Sequence, residues 1–221
     1  MLQIEGLEIR FGQTTLFRDI NLHAKRGELI CLTGQSGCGK TTLLKAIMGL
    51  VTPYKGSIAV DNILLTPGSA PIIRLKTAWM PQGLSLPMDR VKEMVRLPFD
   101  LKANKEAAFS EEELLCHLEE LGLEREIMDK RIHEISGGQR QRILLAITAM
   151  QDKPLMIIDE PTSALDQESS RRVLQFVQHQ ASRGKTVVAV SHDATFMKGC
   201  KRVITLGHTP DRTKEEHIYL G

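Results

Sequence analysis

Residues 34–42 read GQSGCGKTT, a stretch holding three glycines, two threonines, a serine and a lysine between two apolar runs. The run before it, ELICLT, reads as a buried strand, and the run after it, LLKAIMGL, reads as a helix. A chain with so little side chain at this junction turns sharply and leaves its backbone uncovered. Glycine permits backbone angles that a Cβ forbids, so successive N–H groups are free to converge on one point. The helix that follows adds the positive end of its dipole to the same place. A strand, an anion-cradling loop and a helix in that order predict an α/β domain with a phosphate site at a sheet edge.

The spacing of Gly34, Gly39, Lys40 and Thr41 fits G-x-x-x-x-G-K-[ST], the phosphate-binding P-loop. Gly34, Gln35, Ser36, Gly37, Cys38, Gly39, Lys40, Thr41 and Thr42 are therefore candidate nucleotide-binding residues. Lys40 is positioned to reach the β- and γ-phosphates, and Thr41 to offer its hydroxyl to Mg²⁺. Cys38 contributes backbone, with its thiol a spectator.

A second candidate half-site lies at LMIIDE, residues 155–160. Four apolar residues carry two carboxylates to the C-terminal edge of a sheet, where ligands bind in such folds. Asp159 is a candidate Mg²⁺ ligand and Glu160 a candidate general base for water. The bland alternative is a strand end with two solvated acids.

The chain has 221 residues, 42% hydrophobic, which suits one α/β domain with a smaller insert. A net charge of +2 gives no nucleic-acid footprint, and 4% aromatics argue against base-stacking platforms. No apolar run approaches the ~20 residues of a membrane span, and MLQIEGLEIRFG alternates like a strand, unlike a signal peptide. Cys31, Cys38, Cys116 and Cys200 show no metal spacing, and a reduced cytoplasmic setting is the simplest reading.

Along the chain, residues 1–30 read as short strands with turns, and 56–65 as a single strand. TPGSAP at 66–71 reads as a break in regular structure, and 76–82 as a strand ending at Gln82. From 83 to about 150 helical patterns take over. SEEELLCHLEELGL predicts a helix with a Ser110–Glu113 capping box and a stripe of Leu114, Leu115, Leu118 and Leu121. After 152 the strand–helix alternation returns, with a helix expected at 167–182. The organisation is a nucleotide-binding core, 1–82 and 152–221, interrupted by a helical part at 83–151. A surplus of apolar residues after Gln82 (Leu84, Leu86, Met88, Val91, Met94, Val95, Leu97 and Phe99) is too irregular for one helix face. Half of it suits a local core, the rest a docking groove for a partner's helix.

ISGGQRQR at 135–142 resembles the signature motif of ATP-binding-cassette ATPases, and further elements follow that family's order. Gln82 matches its Q-loop glutamine, Ser163-Ala164-Leu165-Asp166 its D-loop, His192 its switch histidine, and Phe11 its adenine-stacking aromatic. Ile135 stands where the signature usually begins with leucine. The resemblance covers essentially the whole chain. It implies a P-loop NTPase core with a mainly parallel sheet, an N-terminal antiparallel β part and an inserted helical part. It implies ATP and Mg²⁺ as ligands, with Gln82 touching both metal and attacking water and His192 donating to the γ-phosphate. Ser136, Gly137, Gly138, Gln139 and Asp166 are implied nucleotide contacts. Each has a plainer reading: helix capping for Ser136 and its glycines, a loop residue for Gln82, a strand-end residue for His192. Phe11 could equally be a core aromatic, with Tyr54 as its rival for adenine.

The same resemblance implies that the signature faces the P-loop of a second ATPase subunit, a homodimer being the simplest form. It implies a separate transmembrane permease subunit and a place on the inner face of the cell membrane. The alternative is a soluble ATPase of the same superfamily. Those usually carry coiled coils, zinc modules or a second cassette, and the sequence shows none; nor does it extend far past RVITLG, where a regulatory domain would lie. A simple P-loop kinase would lack SGGQ and SALD. For cargo, VRLPF, SALD and KRVITL resemble iron-efflux cassettes, with lipoprotein-release and amino-acid import cassettes as rivals.

Overall fold

The structure is a computed structural model that describes residues 1–83, 88–101 and 109–207. Five parallel strands form its centre: β3 (Leu29–Thr33), β6 (Thr77–Met80), β7 (Leu155–Asp159), β8 (Thr186–Val190) and β9 (Arg202–Thr205), in the order β6-β7-β8-β3-β9. β7 and β8 are buried along their whole length, which is why both read as unbroken apolar runs. Successive residues of β7 serve opposite layers. Leu155 and Ile157 face a cluster with Leu43, Leu44 and Ile47 of α1 (Lys40–Ile47), while Met156 and Ile158 face one with Ile143, Leu145 and Ile147 of α5 (Gly137–Met150).

The first layer is closed by an antiparallel sheet of order β2-β1-β4-β5, built from β1 (Leu2–Phe11), β2 (Thr14–Ala24), β4 (Lys55–Val60) and β5 (Ile63–Leu64). The expected short strands of residues 1–30 are in fact two long ones. Register shifts between Ile4 and Leu7, Leu7 and Ile9, and Ile9 and Arg10 let them bend without ending, and bulges of this kind blur a simple alternation. The expected single strand at 56–65 is a hairpin. Asp61 and Asn62 both adopt positive φ (52° and 62°), the geometry of a tight two-residue turn. TPGSAP does not simply break structure: α2 (Ala70–Leu75) starts inside it, with Pro71 in its first turn, where a missing N–H costs nothing.

The second layer is helical. Among the described residues between β6 and β7 lie α3 (Val91–Asp100), α4 (Glu111–Glu120), short 3₁₀ turns at 125–129 and 132–134, and α5. α3 puts Val91, Met94, Val95 and Phe99 on one buried face and, despite Pro98, stays helical to Asp100. Those four are half of the eight apolar residues of that segment. Met88 is half-buried and packs on the same core, and Leu84 and Leu86 lie outside the described residues.

The capping box at α4 is half formed. Ser110 accepts the Glu113 N–H at 3.2 Å, but the Glu113 carboxylate lies 3.7 Å from His117 Nε2 instead of turning back. The buried stripe is Leu114, His117, Leu118 and Leu121, with Leu115 only half-buried. His117 meets the ring of Phe176 edge-on at 5.1 Å, tying α4 to α6 (Gln167–Ser182), which forms where expected. β8 leads through α7 (Ala194–Lys198) into β9.

Candidate functional site

The C-terminal ends of β3, β7 and β8 open into one cleft of ≈ 710 Å³. β3 supplies the glycine-rich loop. Gly34 has φ 144°, and a Cβ there would sit 2.2 Å from the Leu206 carbonyl oxygen, so no other residue fits. Gly39 has φ 99° and abuts Leu16 and Phe17, which brings the β1–β2 hairpin against the loop just before α1 begins. Lys40 is buried, and its Nζ donates to the carbonyls of Gly34 and Gln35 at 2.9 and 3.0 Å, so the cation spans the loop from within. Cys38 is buried beneath it, its Sγ 4.0 Å from Nζ.

Thr41 on α1 donates its hydroxyl to Asp159 Oδ2 at 2.7 Å, joining the P-loop helix to the end of β7. Asp159 Oδ1 is buried with no hydrogen-bond partner. Burial pushes the Asp159 carboxyl above the usual range, with the Thr41 hydrogen bond and the Lys40 charge acting against it. A buried, orphaned carboxylate oxygen next to a threonine hydroxyl is a hard-oxygen pair that fits Mg²⁺ completed by phosphates and water. Among the described residues no group of three or more His, Cys, Asp and Glu could hold a metal ion.

Glu160 leaves the strand with φ 54°, a left-handed conformation that costs a non-glycine residue about 1–3 kcal/mol. Its N–H donates to the Val190 carbonyl at 2.9 Å, and its Oε1 lies 3.4 Å from His192 Nε2 beyond β8. Burial raises its carboxyl above the usual value; His192 opposes the shift and Asp159 adds to it. A half-buried carboxylate beside an imidazole, at the mouth of a phosphate cradle, is suited to taking a proton from water.

The cleft thus unites Ser36, Gly37, Gly39, Lys40, Thr41 and Thr42 with Gln82, Asp159, Glu160 and His192. Sequence reasoning missed three of its walls, Thr162, Val190 and Asp193, and named Ser163 only as part of the D-loop match. Thr162 follows Glu160 by two residues, and that proximity was the available signal.

Phe11, Ser136, Gly137, Gly138, Gln139 and Asp166 lie outside the cleft. Ser136 and Gln139 cap α5 reciprocally: Ser136 Oγ accepts the Gln139 N–H at 3.1 Å, and Gln139 Oε1 accepts the Ser136 N–H at 2.9 Å. Ser136 and Gly137 are exposed, so this helix start faces solvent. Gly138 is buried, and a Cβ there would come within 2.9 Å of the Ala164 carbonyl oxygen. Asp166 caps α6, accepting from Ser169 N–H and Oγ at 2.9 and 2.8 Å, and these bonds hold its carboxyl below the usual range. Phe11 is 56% exposed at the end of β1 and belongs to no core.

Residues 17–163 match the family described as ABC transporter. The chain belongs to the ABC transporter family. It is an ABC ATPase with a P-loop core of mixed α/β architecture, as the resemblance of its motifs implies. It is 33% identical over 198 residues to the ergothioneine transport ATP-binding protein EgtV of Helicobacter pylori (strain G27), covering 87% of this chain and 90% of that one. It is 33% identical over 225 residues to the macrolide export ATP-binding/permease protein MacB of Campylobacter jejuni subsp. jejuni serotype O:23/36 (strain 81-176). That match covers 98% of this chain but only 34% of the relative, so the chain spans about a third of a protein that joins cassette and permease. Among solved structures it superposes, with a TM-score of 0.82 and 28% identity over the whole of both chains, on a dimeric ATP-binding cassette in a post-hydrolysis state bound to ADP and Pi.

Proposed function

We propose that this ABC ATPase is the energy-coupling subunit of a transporter, binding ATP with Mg²⁺ and hydrolysing it as a dimer beside separate membrane-spanning subunits on the cytoplasmic face of the membrane. One observation carries the reading. The cleft brings Lys40, the Thr41–Asp159 pair and the Glu160–His192 pair together, while Ser136 and Gly137 at the start of α5 are exposed and outside it. An exposed helix N-terminus with small residues suits an anion arriving from elsewhere. A second copy, docked so that each α5 start meets the other's cleft, supplies that anion as the γ-phosphate. The dimeric cassette of similar structure supports this arrangement. No helix among the described residues is long and apolar enough to cross a membrane, which agrees with separate membrane subunits. The core is assigned to 1–82 and 152–221, and the helical part carrying the signature to 83–151.

In turnover, the loop amides from Gly34 to Thr42 and the Lys40 ammonium hold the β- and γ-phosphates. Thr41 and Asp159, with Gln82, would hold Mg²⁺, whose role is to neutralise phosphate charge. Glu160 takes a proton from the attacking water, whose oxygen bonds to the γ-phosphorus as the bond to the β–γ bridging oxygen breaks. His192 orients Glu160 and donates to the γ-phosphate. Phe11 is the better adenine platform: Tyr54 already carries the Arg10 guanidinium over its ring at 3.9 Å, whereas Phe11 ends the strand whose hairpin touches Gly39.

The iron-efflux reading gains nothing from the structure. Val95 and Phe99 of VRLPF are core contacts of α3, and KRVITL contains edge strand β9. Relatives whose names specify ergothioneine and macrolides carry similar cassettes, which supports a reading in which the membrane subunits choose the cargo.

The test is purification of Glu160→Gln with Mg-ATP. An ATP-dependent dimer on size exclusion, and turnover reduced at least a hundredfold, is the expected result. Normal hydrolysis by a species that stays monomeric would overturn the proposal. Co-purification with an integral membrane protein from native membranes separates a transport subunit from a soluble ATPase.

A further inference from the structure

Gln141 lies just over one turn into α5, near the end of the 135–142 signature stretch, and its side chain reaches out of the helix toward the end of β7. Its Nε2 donates to the main-chain carbonyl of Glu160, and the same amide lies 3.4 Å from Ser163 Oγ. Ser163 adds its own hydroxyl to that carbonyl at 3.2 Å and its N–H at 3.4 Å. These donors converge on one oxygen, while the Glu160 N–H is held on the opposite side by Val190 at 2.9 Å.

The convergence falls where the backbone most needs support. Glu160 has φ 54° and precedes Pro161, and a residue before proline is normally driven to extended backbone with negative φ. A conformation disfavoured on both counts persists only when its surroundings over-determine it. The carbonyl orientation and the Cα–Cβ direction of one residue are coupled. Fixing the carbonyl therefore aims the carboxylate at the cleft and at His192.

We propose that Gln141 is a positioning residue for ATP hydrolysis: through the Glu160 carbonyl it sets the direction of the Glu160 carboxylate. Because Gln141 and the exposed Ser136–Gly137 start belong to the same rigid helix, a shift at that start moves the group that aims this chain's own base. The device thus links the start of α5 to the end of β7, and it rests on the base role proposed for Glu160.

The test compares Gln141→Leu, which keeps volume but removes the donor, with the wild-type chain in Mg-ATP turnover, ATP affinity and melting temperature. The expected result is kcat down roughly tenfold to a hundredfold, the cost of a misplaced catalytic group, with ATP affinity within about twofold. In the Glu160→Gln background, single-turnover rates should not fall further on adding Gln141→Leu, because the group that Gln141 aims is already gone. A kcat within twofold of wild type, or an equal loss in both backgrounds, overturns the proposal. Should Gln141→Leu fail to fold, Ser163→Ala removes another donor to the same carbonyl and is read by the same two comparisons. If Glu160→Gln itself turns over normally, the base assignment fails; if only Gln141→Leu does, the positioning role alone fails.

Discussion

Thr41 and Asp159 are hydrogen-bonded at 2.7 Å although 118 residues separate them, and this contact closes the nucleotide cleft. It leaves Asp159 Oδ1 buried and unpaired. Chelation of divalent cations should abolish turnover, with Mg²⁺ restoring it. Asp159→Asn should demand at least tenfold more Mg²⁺ for half-maximal activity, since an amide oxygen carries no charge. Equal Mg²⁺ dependence in the two proteins would remove Asp159 from the metal site.

Lys40→Ala removes the cation that spans the loop from within. ATP affinity, read by equilibrium binding of a fluorescent nucleotide, should fall at least tenfold with the fold retained by circular dichroism. Near-normal ATPase activity in a folded variant would end the P-loop assignment.

Burial raises the carboxyl of Glu160, so the acidic limb of kcat against pH should lie above 4.5, the usual value for a glutamate, and turnover should rise as Glu160 ionises. The sign for stability is opposite. A group whose folded-state pKa is raised binds its proton more tightly when folded, so stability is greatest below the unfolded value and is lost as pH rises through the folded one. Near neutral pH both Asp159 and Glu160 carry this cost. Glu160→Gln and Asp159→Asn should each therefore melt higher than wild type without nucleotide. The gain should shrink as pH falls toward 4, and a melting temperature unchanged or lowered at neutral pH would contradict it.

Phe11→Ala should raise KM for ATP by roughly 2–10-fold, the worth of one aromatic stacking contact of about 0.5–1.5 kcal/mol. Tyr54→Ala, whose ring faces Arg10, should leave KM within twofold. The reverse result would move adenine to Tyr54.

Gly138→Ala places a methyl 2.9 Å from the Ala164 carbonyl oxygen and 2.8 Å from Leu165 Cδ2. Backbone cannot yield as a flexible side chain can, so denaturant unfolding should show a loss of about 1–3 kcal/mol. Gly137→Ala meets nothing within 4 Å and is helical, so it should not destabilise the chain. The pair separates packing on the 163–166 turn from exposure of the α5 start.

What the sequence by itself determined is the chemistry and its order. The glycine spacing at 34–39, the apolar run ending in Asp159 and Glu160, and the Ser136 cap are local patterns whose meaning needs only their neighbours. So is the helix at 167–182, although its Asp166 cap is seen only in the structure. What only the tertiary structure decided is which groups meet. The hairpin at Asp61–Asn62 and the helix starting in TPGSAP depend on contacts beyond the short window that suggested one strand and one break. Glu113 lies beside His117, whose ring packs edge-on against Phe176 of another helix, a contact far away in sequence. The candidate cleft needs β3, β7 and β8 side by side, a consequence of parallel crossovers that no short motif encodes. Gln141 reads as an ordinary polar helix residue, and only the packing of α5 against the end of β7 aims its amide at the Glu160 carbonyl.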